Sequence, residues 1–158
     1  MMSDQDVRDQ MNHHISRVLY FLDVAIREIQ RRGEIHDLSK FDPVEFDSFA
    51  RAIPRLTEVS YLSDEYREIL KEIKDAVTHH NSHNRHHPEF FPDGINGMNL
   101  IDLLEMFCDW MAAIERNPGG NIQVSIDKNT ERFNMGPVVK SILENTARWM
   151  YTLRGSVS

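Results

Sequence analysis

The chain has 158 residues, 41% hydrophobic and 27% charged, a size and balance that support a globular core without covalent staples. Its net charge of −7 excludes duplex nucleic acid as the main partner, because phosphate binding needs a clustered positive field. The single cysteine, Cys108, excludes a disulfide framework; set within an apolar run, it reads as a buried, inert thiol.

The pattern is helical almost throughout. Met11, Ile15, Val18, Leu22, Ala25 and Ile29 recur at three- and four-residue steps and predict an amphipathic helix ending near Gly33. After the short segment EIHDLSK, Asp42-Pro43-Val44-Glu45 reads as an N-cap, a first-turn proline and a capping-box glutamate. That helix is expected to run to about Ala52 and to end at Pro54. Ser63 caps the next, with Tyr66, Ile69, Ile73, Val77 and His80 on one face and an end before Pro88. The segment FFPDGINGMN breaks regularity. A strongly apolar helix follows from about Met98 to Arg116, closed by Asn117-Pro118-Gly119-Gly120. IQVSI, within residues 121–135, reads equally as a short strand or a loop, and Pro137 starts a last helix to about Leu153. The expectation is one all-α domain over 1–158 with five to six helices. Its metal-site core is expected at about 10–116, followed by a C-terminal loop and helix over 117–158.

All eight histidines fall in the first 87 residues, as His13-His14, His36, His79-His80, His83 and His86-His87. Imidazole and carboxylate together hold transition metals in water-accessible sites. His14 shares the apolar stripe of the first helix and His80 that of the third, so both are expected to face inward. On the late helix Asp102, Glu105 and Asp109 form one acidic stripe on an otherwise apolar segment. Carboxylates buried there need cations, either metals or an arginine such as Arg85 or Arg132.

The order His14, His36-Asp37, His79-His80 and Asp109 resembles the HD superfamily of metal-dependent phosphohydrolases. His36-Asp37-Leu38-Ser39-Lys40 is similar to the His-Asp-x-x-Lys motif of its cyclic-dinucleotide phosphodiesterase branch. Ser39 stands where that branch has glycine, and no GYP-type signature follows, so that specificity is not carried over. The strings HDLSKF, HHNSHNRHHPEF and DLLEMFCDW also resemble a small family with a domain of unknown function, common in bacteriophage genomes. The resemblance implies an HD-like fold in which His14, His36, Asp37 and Asp109 bind a first metal. His80 and His87 would hold a second, with His79, His83 and His86 as rivals and Asp102 competing with Asp109. Glu105 would support a ligand or hold the second metal.

The expected cofactor is one or two divalent transition-metal ions (Mn, Fe, Co, Ni or Zn), acidifying a water for attack on a phosphoryl group. Asp37 and Lys40 are the expected catalytic residues. Lys40, Asn84 and Arg85 are the expected contacts of a small phosphorylated substrate of nucleotide type, and Lys128 and Arg132 are further cations to consider. Two other classes stay open: a di-iron oxygenase of the same fold, and a non-enzymatic protein, such as a phage factor, that sequesters a nucleotide. No apolar run reaches the roughly 18 residues of a membrane span, and the N-terminus lacks a signal-peptide pattern. A cytoplasmic protein is therefore expected, in the host cytoplasm if phage-encoded, with homo-oligomerisation open.

Overall fold

A computed structural model describes residues 2–60, 62–116 and 119–154. Among them the fold is all-α, with seven α-helices and no strand. The chain divides into two compact units, Met1–His36 and Asp37–Ser158.

The first unit is one helix, α1 (Asp4–Ile35). A capping box starts it: the Ser3 hydroxyl accepts from the Asp6 amide at 3.2 Å, and the Asp6 carboxylate accepts from the Ser3 amide at 2.9 Å. Gly33 does not end the helix; two more residues follow before His36 turns extended. Within this unit, a single helix, His14 and the stripe of Met11, Ile15, Val18 and Leu22 have no second element to pack on and are exposed.

The second unit opens on Asp37, whose φ of 60° lies in the left-handed region that short polar side chains tolerate. A 3-10 turn over Leu38–Phe41 leads into α2 (Pro43–Leu56). Pro54 lies inside α2 rather than ending it. Carbonyls of the last turn lack intrahelical donors, and that of Pro54 is met by the Thr57 hydroxyl, which donates to it at 2.8 Å. Ser63 caps as expected, accepting from the Tyr66 amide at 3.1 Å. The helix it starts breaks at Ile73 into α3 (Asp64–Glu72) and α4 (Lys74–His83). Two short 3-10 turns precede α5 (Leu100–Arg116).

Residues 117 and 118 of the expected closing loop lie outside the described residues, as do 155–158. At Gly120 a Cβ would stand 2.0 Å from the carbonyl oxygen of Ile114, so only glycine lets the chain return this close to α5. Asn121 then caps α6 (Ile122–Arg132), its side chain accepting from the Gln123 amide at 2.8 Å. The ambiguous IQVSI segment is thus helical. Its β-branched residues suggest a strand, but Ile122, Ser125, Ile126 and Asn129 form a buried stripe of helical period. The last helix, α7, spans Pro137–Arg154.

Two apolar clusters hold this unit. One joins Phe49 and Ala52 of α2 to Ile69, Ile73 and Ala76. The larger is built on Met106, Phe107, Trp110 and Met111 of α5 with Ile126 of α6 and Leu143 of α7. Cys108 faces away from it and is exposed, not buried as expected, because it lies on the side of α5 opposite Met106 and Phe107.

Candidate metal centre

The site begins with a carboxylate. Glu45 lies four residues before Phe49 and seven before Ala52, on the buried stripe of α2, and is fully inaccessible to solvent. It does not close a capping box, and Asp42 makes no side-chain cap. Instead one Glu45 oxygen meets Nδ1 of His79 at 2.8 Å and the other meets Nδ1 of His80 at 3.0 Å. The Ser39 hydroxyl donates to the second oxygen at 3.1 Å. A buried carboxylate requires such donors. A carboxylate at Nδ1 favours the tautomer with the proton there, which would turn Nε2, now 3.1 Å from Asp37, into the atom offered to a cation, the arrangement that orients metal-ligating histidines.

Past α4, Asn84 donates through its side-chain amide to the His80 carbonyl and to the Ser39 hydroxyl, both at 2.8 Å. This closes the helix and turns the chain so that His86 and His87 come back beside His80. The His80 ring centroid lies 5.7 Å from that of His86 and 4.9 Å from that of His87. One nitrogen from each of the three lies within 4.8 Å of the others, and carboxylate oxygens of Asp37 and Asp109 approach one another within the same limit. Nε2 of His80 is 3.1 Å, and Nε2 of His86 3.4 Å, from the same Asp37 oxygen. Nδ1 of His86 lies 3.3 Å from Glu105. The buried Nε2 of His87 makes no hydrogen bond among the described residues, and that of His80, also buried, has only the contact with Asp37.

The electrostatics suit a cation. Burial, reinforced by His86 and His80, pushes the His87 pKa down to about 2 against the opposing pull of Asp109 and Asp37, so its imidazole is neutral near pH 7. Burial alone would raise the Asp37 pKa. The His80 and His86 imidazoles and the Lys40 ammonium outweigh it and hold this carboxyl far below the ordinary range. Lys40 donates to the other Asp37 oxygen and stands 5.2 Å from the centre of the Phe49 ring.

The second unit thus brings together Asp37, His80, His87 and Asp109 of the expected ligands, and adds His86 from among the rivals. His79 takes the other oxygen of Glu45 and stacks on His83, with ring centroids 4.0 Å apart. His14 is exposed on α1, and His36, half-buried, ends the first unit. The acidic stripe of α5 divides by role. Asp102, fully buried, accepts two hydrogen bonds of 3.0 Å from Arg85 and one of 3.0 Å from the Asn99 amide. It secures the start of α5. Arg85 also lies 4.9 Å from the centre of the Phe91 ring, so its guanidinium, expected on a substrate, is engaged within the fold. Asn84 likewise serves the turn after α4. Sequence reasoning did not single out Glu45 or Ser39 for the site. The available signal was the register of Glu45 with Phe49 and Ala52, which the capping-box pattern obscured.

The profile of a family of unknown function (DUF5662) matches residues 3–150, and the chain belongs to that family. No curated protein and no solved structure matches the chain.

Proposed function

We propose that the protein is a metal-dependent phosphohydrolase of HD type acting on a nucleotide-type small molecule. The observation that carries this reading is the buried Nε2 of His87, which has no hydrogen-bond partner, grouped with ring nitrogens of His80 and His86 beside the ionised Asp37. A buried nitrogen lone pair left unmatched costs free energy, and a cation satisfies several at once. Asp37, His80, His86, His87 and Asp109 are the proposed ligands. Neutral imidazole with carboxylate suits Mn, Fe, Co, Ni or Zn. When bound, such an ion supplies Lewis acidity and lowers the pKa of water toward neutrality.

The chain's own residues do the rest. Glu45 fixes the tautomer and orientation of His80. Burial keeps His87 unprotonated, hence able to donate its lone pair. Lys40, paired with Asp37, sets a positive charge at the mouth of the cluster, where a non-bridging phosphate oxygen would gain from it.

The test is elemental analysis of the full chain, thermal melts with EDTA and with each metal, and then a hydrolysis screen. The substrates are nucleoside mono-, di- and triphosphates and cyclic dinucleotides. The expected result is bound transition metal, a midpoint raised by metal through mass action, and turnover abolished by Asp37→Ala. Unchanged melting with every metal overturns the metal centre. Metal-loaded protein that hydrolyses none of the substrates overturns only the hydrolase assignment, and oxygen consumption would move it to the oxygenase class.

A further inference from the structure

Away from the histidines, α3, α4 and α6 enclose a cleft of about 540 Å³. Its cations are Arg67, Lys71 and Lys74 on one side and Lys128 and Arg132 on the other; no carboxylate lines it. In a chain with 25 acidic and 18 basic residues this is a local reversal of sign. Arg67 and Lys71 are one turn apart on α3, Lys74 opens α4, and Lys128 and Arg132 are one turn apart on α6, so cations reach the cleft from all three helices. Tyr66, Leu70 and Val77 line the same cleft and give it apolar surface.

The existing partners of these cations are easily exchanged. Arg67 pairs with Asp64 at 3.3 Å, Lys71 with Glu68 at 2.5 Å and Arg132 with Glu89 at 2.6 Å, all between side chains at least a third exposed. Pairs of this kind contribute about 0–1 kcal/mol. Lys128 donates to the Leu62 carbonyl at 3.0 Å, and Lys74 forms no ion pair among the described residues. We propose that this cleft binds a phosphorylated small molecule with an apolar body, of the nucleoside-diphosphate class. The phosphates lie among these cations and the body rests on Tyr66, Leu70 and Val77. The volume is that of a small-ligand site, roughly 300–1,000 Å³, rather than of a track for a polymer. This inference does not rest on the metal centre, with which the cleft shares no lining residue.

Calorimetry on the full chain, titrated in turn with ADP, GDP, CDP and UDP at fixed salt, tests it. At least one is expected to saturate a single site with Kd below about 1 mM. Pyrophosphate and the free nucleoside should each bind at least about tenfold more weakly, since each keeps half of the recognition. Lys74→Glu and, separately, Lys128→Glu should weaken the diphosphate at least about tenfold while melting like the wild type. Binding in the cleft should persist in EDTA-treated protein, where the histidine cluster holds no metal and no lining residue of the cleft is touched. The proposal is overturned if none of the four saturates, or if both folded charge reversals bind normally. It is equally overturned if binding disappears with EDTA, which would move the nucleotide to the histidine cluster. Affinity for oligo(U) that exceeds the diphosphate's and grows with length would replace the small ligand by single-stranded RNA.

Discussion

Helices α1 and α5 carry similar sequence signals and meet opposite fates. Both have apolar residues at helical period and polar chemistry on the same face: His14 on α1, Asp109 on α5. On α5 Met106 is 1% and Phe107 0% exposed, whereas on α1 Met11 and Leu19 are each 61% exposed. The histidines divide likewise, with His13 and His14 in solvent and His80 and His86 buried. Helical period determines which side chains can be buried together. Whether they are depends on what the rest of the chain supplies, and α5 receives α6 and α7 through the cluster around Phe107. An imidazole in water has its lone pair satisfied; one buried beside Asp37 does not.

The largest effect that would sharpen this contrast is expected from Phe107→Ala. Removing a fully buried ring should cost about 3–5 kcal/mol in denaturant melts. A loss below about 1 kcal/mol would mean that α5 is not the anchor of its cluster. Next comes Glu45→Ala, which takes the shared acceptor from His79 and His80 and should destabilise by about 1–3 kcal/mol. It should also weaken metal binding by about 10–100-fold, as loss of such a supporting carboxylate does. Normal metal affinity in this variant would show that Glu45 serves stability alone.

Acid distinguishes the buried histidines from the exposed ones more finely. The His87 pKa is about 2 in the folded protein against an ordinary 6.5, with His86, His80, Asp109 and Asp37 facing it. Below pH 6.5 the unfolded chain therefore takes up a proton that the folded site refuses. Its stabilising contribution is complete above that pH and is lost as pH falls, by up to about 1.4 kcal/mol per unit for one proton. The lowered pKa of Asp37 adds its own loss only below its ordinary value of 3.8, and those of Glu28 and Glu72 only near and below 4.5, so the interval from about 6 to 5 leaves His87 as the shifted group. Metal-free His87→Asn should show a flatter stability profile there, and an unchanged slope would mean that His87 is not the group responsible. The smallest effect is expected from Leu19→Glu on α1, within about 0.5 kcal/mol of wild type, as for other exposed positions. A loss above about 2 kcal/mol, or a midpoint that depends on protein concentration, would break the comparison by showing that something covers the α1 stripe.

The sequence by itself determined the helical class, most element starts and the residue types of the site. Ser63 and Pro137 mark real helix starts, and the spacing of Met106, Phe107 and Trp110 marks a real core face. That His80 and His87 come together near Asp37 was legible, because they meet through one helix and one turn; that His86 joins them while His79 and His83 do not was left open by the sequence. Tertiary structure decided the rest. It made Glu45 a partner of His79 and His80 rather than a helix cap, gave Asp102 to Arg85, left Asp109 near Asp37, and placed Cys108 in solvent. Period and capping are local properties, governed by steric and backbone hydrogen-bonding rules within a few residues. Which carboxylate meets a metal-binding histidine and which meets an arginine depends on segments that become neighbours only after folding, when each buried polar atom must find a partner among them.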